Sequence, residues 1–180
     1  MSKLKELTWE NHKNAERQRF ARMLMSGKME PYLYAKFLYN QYHCYKALES
    51  CIELPKDLEH IKRASLILDD CWEIIIKCRL LGKRLRVLNT TQEYVEYVKQ
   101  LDQRGLLAHM YVRHFGDMYG GNMIRKLVPG SATMYEFNEK GKLITYVRDK
   151  LTKDMEGEAK QVFKYAITLF KELENVYGMG

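Results

Sequence analysis

Only three prolines, Pro31, Pro55 and Pro129, interrupt this 180-residue chain. Each stands where an apolar helical period starts or stops, so the intervals between them read as helix. LTWENHKNAERQRFARMLMSG keeps helical spacing through His12, Ala15, Phe20, Met23 and Leu24, with Thr8 as its cap and Gly27 as its stop. EPYLYAKFLYNQYHCYKALESCIEL puts Pro31 in a first turn and carries an apolar series at Tyr34, Phe37, Leu38, Tyr42, Tyr45 and Leu48. A third pattern, PKDLEHIKRASLILDDCWEIIIKCRLLG, is expected to break inside its length. The fourth, NTTQEYVEYVKQLDQRGLLAHMYVRHFGDMYGGNMIRKLV, is expected to form two segments hinged near Gly105. A turn at VPGSATMYEF leads to KLITYVRDKLTKDM and then to EGEAKQVFKYAITLFKELENVYG, where Val162, Phe163, Ala166, Leu169, Phe170 and Leu173 repeat every 3.6 residues. A hairpin around EKGK is the competing reading of MYEFNEKGKLITYV. The prediction is an all-α single domain, residues 1–180, of about seven or eight helices.

Thirty Lys and Arg against 23 Asp and Glu give a net charge of +7. That bias steers acidic proteins, nucleic acids or anionic small molecules without choosing among them. Cys44 and Cys51, and Cys71 and Cys78, form two pairs seven residues apart. Within one helix such a pair is separated by about 10 Å, too far for a disulfide, and the spacing is no zinc signature. They read as reduced, buried cysteines of a cytosolic protein. MSKLKELTWENHK lacks the apolar core of a signal peptide, and no apolar run of membrane-spanning length follows. The expectation is a soluble, cytoplasmic chain with no membrane anchor. GxGxxG, GxxxxGK[ST], CxxC and GxSxG are all missing, so nucleotide binding and serine hydrolysis gain no support.

HMYVRHFGDMYGGN, residues 109 to 122, sets a charged Asp117 among Gly116, Gly120 and Gly121 in a segment that otherwise reads as helix. Each glycine costs about 1 kcal/mol of helix propensity relative to alanine. Bare backbone there lets another helix or a flat ligand approach closely, and eases a bend. Asp117 either faces solvent or points inward, where it needs donors from ordered water or a nearby Arg. His12 is the second candidate, with Glu16 one turn later as a partner for one ring nitrogen. A lone histidine does not hold a bare zinc ion, whereas an iron already held by a macrocycle needs only one. Lys5, Tyr111, Arg113 and Arg148 supply groups able to pair with carboxylates at a pocket rim. His43, His60, His109 and His114 form no HxxxH or HExxH arrangement and read as surface or packing residues.

HKNAE, His12 to Glu16, and YVRHFGDMYGG, Tyr111 to Gly121, together resemble the heme oxygenase family. ITLFKELE resembles that family's last core helix, and the similarity runs over roughly residues 3 to 175. The resemblance implies heme as both substrate and cofactor, between a first helix and a kinked distal helix. By it His12 is the axial ligand of the heme iron. Gly116 and Gly120 lie over the distal face, with Gly121 supporting the kink. Asp117 organises distal water, Arg113 belongs to the same hydrogen-bond network, and Lys5, Tyr111 and Arg148 contact the propionates. Two departures stand out. Ile144 occupies a commonly basic position one turn before Arg148, and Phe115, Met118 and Tyr119 replace smaller or aliphatic residues.

The implied reaction takes heme, molecular oxygen and external electrons to biliverdin, as the IX-alpha isomer, with ferrous iron and carbon monoxide. The chain resembles soluble bacterial, algal or phage members, placed in the cytoplasm, a host cytoplasm or a plastid stroma. No flavin or iron–sulfur motif is present, so the reductant is external, and the basic surface suits an acidic ferredoxin. A downstream bilin reductase is the expected consumer of the product, and the expected state is a monomer. Two readings compete: a noncatalytic heme storage or sensor protein, and a basic helical protein that binds nucleic acid.

Overall fold

A computed structural model describes residues 3–177. The described residues form nine α-helices, three 3₁₀ turns and no strand: α1 Lys3–Leu7, α2 Trp9–Glu16, α3 Arg19–Leu24, α4 Pro31–Cys51, α5 Ala64–Lys77, α6 Asn89–Val98, α7 Gln103–Ile124, α8 Lys140–Arg148 and α9 Glu156–Val176. The count exceeds seven or eight because the first predicted helix, starting at Thr8, divides into α2 and α3, and α1 precedes it. Thr8 does not cap α2 with its side chain; its hydroxyl donates back to the Leu4 carbonyl at 2.9 Å. Gln18, in extended backbone, then separates α2 from α3.

The third pattern does break, into a 3₁₀ turn at Lys56–Ile61 and α5. The fourth parts at residues 99–102 rather than at Gly105. Asp102 ends the gap by accepting the Gly105 amide at 2.8 Å, which starts α7 and buries Gly105 in its first turn. From there α7 continues without a break through Gly116, Gly120 and Gly121. The EKGK segment begins α8, and no hairpin forms. All four cysteines are free, Cys44 and Cys71 buried as expected, but Cys51 is half-buried and Cys78 exposed.

α4 starts cleanly because Glu30 accepts the amides of Tyr32 at 2.9 Å and Leu33 at 2.7 Å, with Pro31 in the first turn. The helix then serves two apolar cores. Tyr34, Phe37 and Leu38 meet Phe20, Ile67, Ile74 and Leu169 in one. Cys44 and Leu48 meet Tyr94, Leu106, Met110, Leu143 and Val147 in the other.

Buried polar side chains pin the connections that helical packing alone leaves loose. Asn40 accepts from the Leu88 amide at 2.9 Å and the Thr91 hydroxyl at 2.7 Å, which docks the start of α6 on α4. Asp70 accepts both backbone amides of Thr133 and Met134, at 2.9 and 2.8 Å. That fixes the 3₁₀ turn Thr133–Tyr135 and carries Tyr135 onto α7. Both α2 and α7 pack on α9.

Candidate functional site

A cleft of about 330 Å³ opens where α2 and α7 lean on α9 from two sides. α2 contributes Trp9, His12 and Glu16, α9 contributes Phe163, and α7 contributes Tyr111, Val112, Phe115, Gly116, Tyr119 and Gly120. Lys5 of α1 completes the lining together with Thr8.

On the α2 wall, the His12 ring stacks on Trp9, centroids 5.6 Å apart and 7° from parallel, and meets the edge of Phe163 at 6.0 Å. These contacts fix the plane of the imidazole. Its Nε2 lies 3.7 Å from the Glu16 carboxylate, while its Nδ1 is buried and has no hydrogen-bond partner. A ring held this firmly with an unsatisfied nitrogen has coordination capacity to spare.

The opposite wall is backbone. Gly116 and Gly120 are exposed to the cleft, and a Cβ built on either meets nothing within 4 Å. Phe115, Tyr119 and Val112 flank them, so the wall is apolar with two bare patches of helix. Trp9 and Tyr119 remain 44% and 65% exposed, leaving aromatic surface uncovered at the mouth.

Gly121 does not belong to this wall. It is buried, and a Cβ there would come within 2.5 Å of the Tyr135 ring. Its role is close packing between α7 and the 133–135 turn, which corrects its grouping with the cleft glycines. Asp117 also points away from the cleft lining, toward α4. The Tyr45 hydroxyl donates to its carboxylate. Burial pushes the Asp117 carboxyl up to about 6, against the pull of the Tyr45 hydrogen bond and of His114, Arg113 and Arg63. Its hydrogen-bond donor among the side chains is a tyrosine, with Arg113 and Arg63 near enough to draw its carboxyl down.

Arg113 is buried on the same side. Its Nε donates to the Tyr94 hydroxyl at 3.0 Å and its NH1 to Gln41 Oε1 at 3.2 Å. Tyr94 in turn lies 2.9 Å from His109 Nδ1, whose Nε2 lies 3.0 Å from Glu158. Burial drives His109 down to about 4, so this chain of contacts holds a neutral imidazole. Arg148 sits exposed in the last turn of α8 and is not among the cleft residues. Ile144, at the position expected to be basic, is half-buried against the second core. Met118 is buried in that core too, whereas Phe115 and Tyr119 wall the cleft.

Sequence reasoning thus finds His12, Lys5, Tyr111, Gly116 and Gly120 in one place. It does not single out Trp9, Phe163 or Tyr45. The signal for α7 is present in its spacing: 111, 112, 115, 116, 119 and 120 fall on one arc of a helical wheel, and 113, 114, 117 and 121 on the other.

The heme oxygenase family model matches residues 1–172. The chain belongs to the heme oxygenase family. Members of that family that have been characterised cleave heme oxidatively to biliverdin, ferrous iron and carbon monoxide. The heme oxygenase of Guillardia theta is 29% identical, over 97% of this chain and 86% of that protein. Heme oxygenase 1 of Synechocystis sp. is also 29% identical, over 96% of this chain and 84% of that one. Among solved structures, the heme oxygenase from Leptospira interrogans matches with a TM-score of 0.78 at 25% identity, covering 94% of this chain and 97% of that chain. Synechocystis heme oxygenase-1 in complex with heme gives 0.77 at 23% identity, covering 98% and 94%. The all-helical bundle is therefore the heme oxygenase fold. Among the described residues, no helix is long and apolar enough to cross a membrane, and no group of three or more His, Cys, Asp or Glu could hold a metal ion.

Proposed function

We propose that this chain cleaves heme with molecular oxygen and external electrons, giving biliverdin as the IX-alpha isomer, ferrous iron and carbon monoxide. The observation that carries the reading is the opposition of His12 to the bare backbone of Gly116 and Gly120 across an apolar cleft. A flat, apolar macrocycle with a metal at its centre and carboxylates at its edge fits that arrangement. The imidazole has an unsatisfied nitrogen, the facing helix has no side chains in the way, and Lys5 and Tyr111 lie on the lining to meet the carboxylates.

Bound heme supplies the iron at which oxygen is reduced and the ring that is oxidised. His12 would hold the iron through one ring nitrogen, with Glu16 one turn away to steady the imidazole. Gly116 and Gly120, bare of side chains, would let a bound macrocycle approach the α7 backbone closely and would limit which of its edges is open to attack. Asp117, immediately behind Gly116, exchanges protons near neutral pH because burial has brought it to about 6. Its carboxylate is turned to Tyr45 on the α4 side, so water reaching it from the glycine side would be what it orders and passes protons through. Arg113 belongs to the network behind it, and Arg148 adds a cation to the propionates from α8. Electrons come from an acidic ferredoxin attracted by the net charge of +7. The product then passes to a bilin reductase, and the enzyme works as a monomer.

A visible-absorption time course on hemin-loaded protein with ascorbate, oxygen and catalase tests the reading. Loss of the Soret band with growth of broad biliverdin absorption is the expected result; catalase removes free peroxide, so uncoupled oxidation does not imitate it. A stable Soret band under demonstrated heme reduction would instead indicate storage or sensing. Failure to form a defined heme complex would sink the proposal. With ferredoxin as donor, turnover is expected to fall as ionic strength rises while ascorbate-driven turnover holds steady.

A further inference from the structure

The end of α5 and the turn after it carry a surface that the cleft does not use. No acidic residue occurs from Ile74 to Gln92, while Lys77, Arg79, Lys83, Arg84 and Arg86 fall within ten positions and are all exposed. Arg79, Lys83, Arg84 and Arg86 enter no ion pair among the described residues. Glu73, the acid just before this stretch, is already taken up by Lys77 and by the amide and hydroxyl of Ser131 at 2.8 and 2.7 Å. Asp69, also exposed, lies one turn before Trp72, toward the start of α5 and away from the cations. Large apolar side chains stand among the cations. Trp72 and Ile76, one turn apart on α5, are 47% and 61% exposed, and Leu81 is 71% exposed. Leu81 and Gly82 are the middle residues of a turn closed by the Lys83 amide on the Leu80 carbonyl at 3.0 Å. Leu80 and Leu85 on either side pack inward on the first core, so the turn is seated and Leu81 is its outward tip. Arg79 closes α5 at φ 55, a left-handed position that favours glycine, so a cation is kept there at the expense of the backbone.

We propose that residues 72–86 dock the protein on an anionic lipid surface. Trp72, Ile76 and Leu81 enter the interfacial layer, and the cations beside them meet lipid phosphates. The charge selects the class of partner, since a positive stretch without acids is complementary only to an anionic one. The apolar tips select among anionic partners. Nucleic acid would engage the cations and leave three large apolar side chains in water. An acidic protein would need a hollow shaped to projecting tips, whereas the headgroup layer yields to them. Attachment of this kind needs no spanning helix, and among the described residues none is long and apolar enough to be one. The surface also leaves the cleft free. α5 packs on α4 and the 133–135 turn, and no residue from 72 to 86 lines the cleft. The inference therefore goes beyond the heme reading and does not depend on it.

The test is co-sedimentation of the full chain, heme-free and hemin-loaded, with vesicles of phosphatidylcholine alone or mixed equally with phosphatidylglycerol. Both forms should bind the mixed vesicles, less as salt rises, and bind phosphatidylcholine weakly. Lys83→Ala should weaken binding about five-fold. Lys150→Ala removes the same charge from an exposed site just after α8 and should change binding by less than about two-fold. Leu81→Ser should cost about ten-fold and leave the salt dependence as it was. Arg79→Gly should raise the melting temperature, because glycine suits the left-handed backbone, yet weaken vesicle binding about five-fold. The chain has two tryptophans, so in heme-free Trp9→Phe the emission comes from Trp72 and should shift to the blue on mixed vesicles. Equal binding to both vesicle types, equal losses from Lys83→Ala and Lys150→Ala, or a Trp72 emission that does not move overturns the proposal. So does binding to duplex DNA or to an acidic protein without binding to vesicles, which would give the surface to another anionic partner. Sedimentation without lipid that Leu81→Ser abolishes would give it to a second copy of the chain and overturn the proposal as well.

Discussion

The two faces of α7 use the same residue type for opposite ends. Toward the cleft, Gly116 and Gly120 border open space, and a Cβ on either would touch nothing within 4 Å. On the back, Gly121 lies under the Tyr135 ring so closely that a Cβ has no place to go. Polar groups divide the same way. The cleft arc carries Tyr111, Phe115 and Tyr119, while the back arc carries Arg113, His114 and Asp117, each bonded to α4 or α6. A glycine that is missing a neighbour and a glycine that is crowded by one look identical in a sequence, yet one borders an open cleft and the other lies packed under an aromatic ring.

Substitution by alanine separates the two. Gly121→Ala should lose about 3 kcal/mol, toward the upper end for overpacking, because Tyr135 is 4% exposed and its turn is held by Asp70. For a chain of this size that lowers the melting temperature of the heme-free protein by roughly 6–12 °C. A melt within a degree or two of the wild type would mean that the ring can retreat and that the back face is less tightly specified than its geometry implies.

Asp117→Asn probes the charge on the back face. An asparagine still accepts from Tyr45, but it is never ionised. The folded protein resists ionising Asp117 until about 6, whereas the unfolded chain ionises at the ordinary value of 3.8. The native state therefore binds more protons between those values, and stability is lost as pH rises through that window. At pH 8 the variant should be more stable than the wild type by about 2 kcal/mol, a discounted figure because the residue is only half-buried. The gain should vanish below about pH 4, where both states of the wild type are protonated. Chemical denaturation at pH 8 and pH 3.5 measures it, and turnover of the heme-loaded variant should fall while its stability rises. Equal stability at both pH values would remove the burial strain assigned to this carboxyl.

How much of this was legible beforehand follows from distance along the chain. The helices were readable because apolar period and proline placement are local, and the family resemblance rests on two short segments. The break at Gln18 was not, because the apolar period runs straight from Ala15 to Phe20 across it. His12 and the cleft glycines could be nominated, but Gly121 could not be told from its neighbours without Tyr135, which reaches it only through Asp70. His114 read as packing because its partner Glu49 is 65 residues away. Arg148 and Ile144 show the converse, with roles taken from a pattern and no cleft contact to support them.

The smallest effect carries the sharpest sign. Gly116→Ala and Gly120→Ala each replace a helix-weakening residue at a position where the added methyl meets only open space. Each should stabilise the heme-free protein by about 1 kcal/mol, the helix propensity regained. The same methyl enters the volume assigned to the heme face, so heme affinity and turnover should fall together in titrations with hemin. Gly121→Ala moves stability the other way with no direct intrusion on the cleft. If instead Gly116→Ala and Gly120→Ala gained stability and kept full heme affinity, the bare backbone would be serving a bend in α7 rather than the ligand, and the cleft face would need another reason for its glycines.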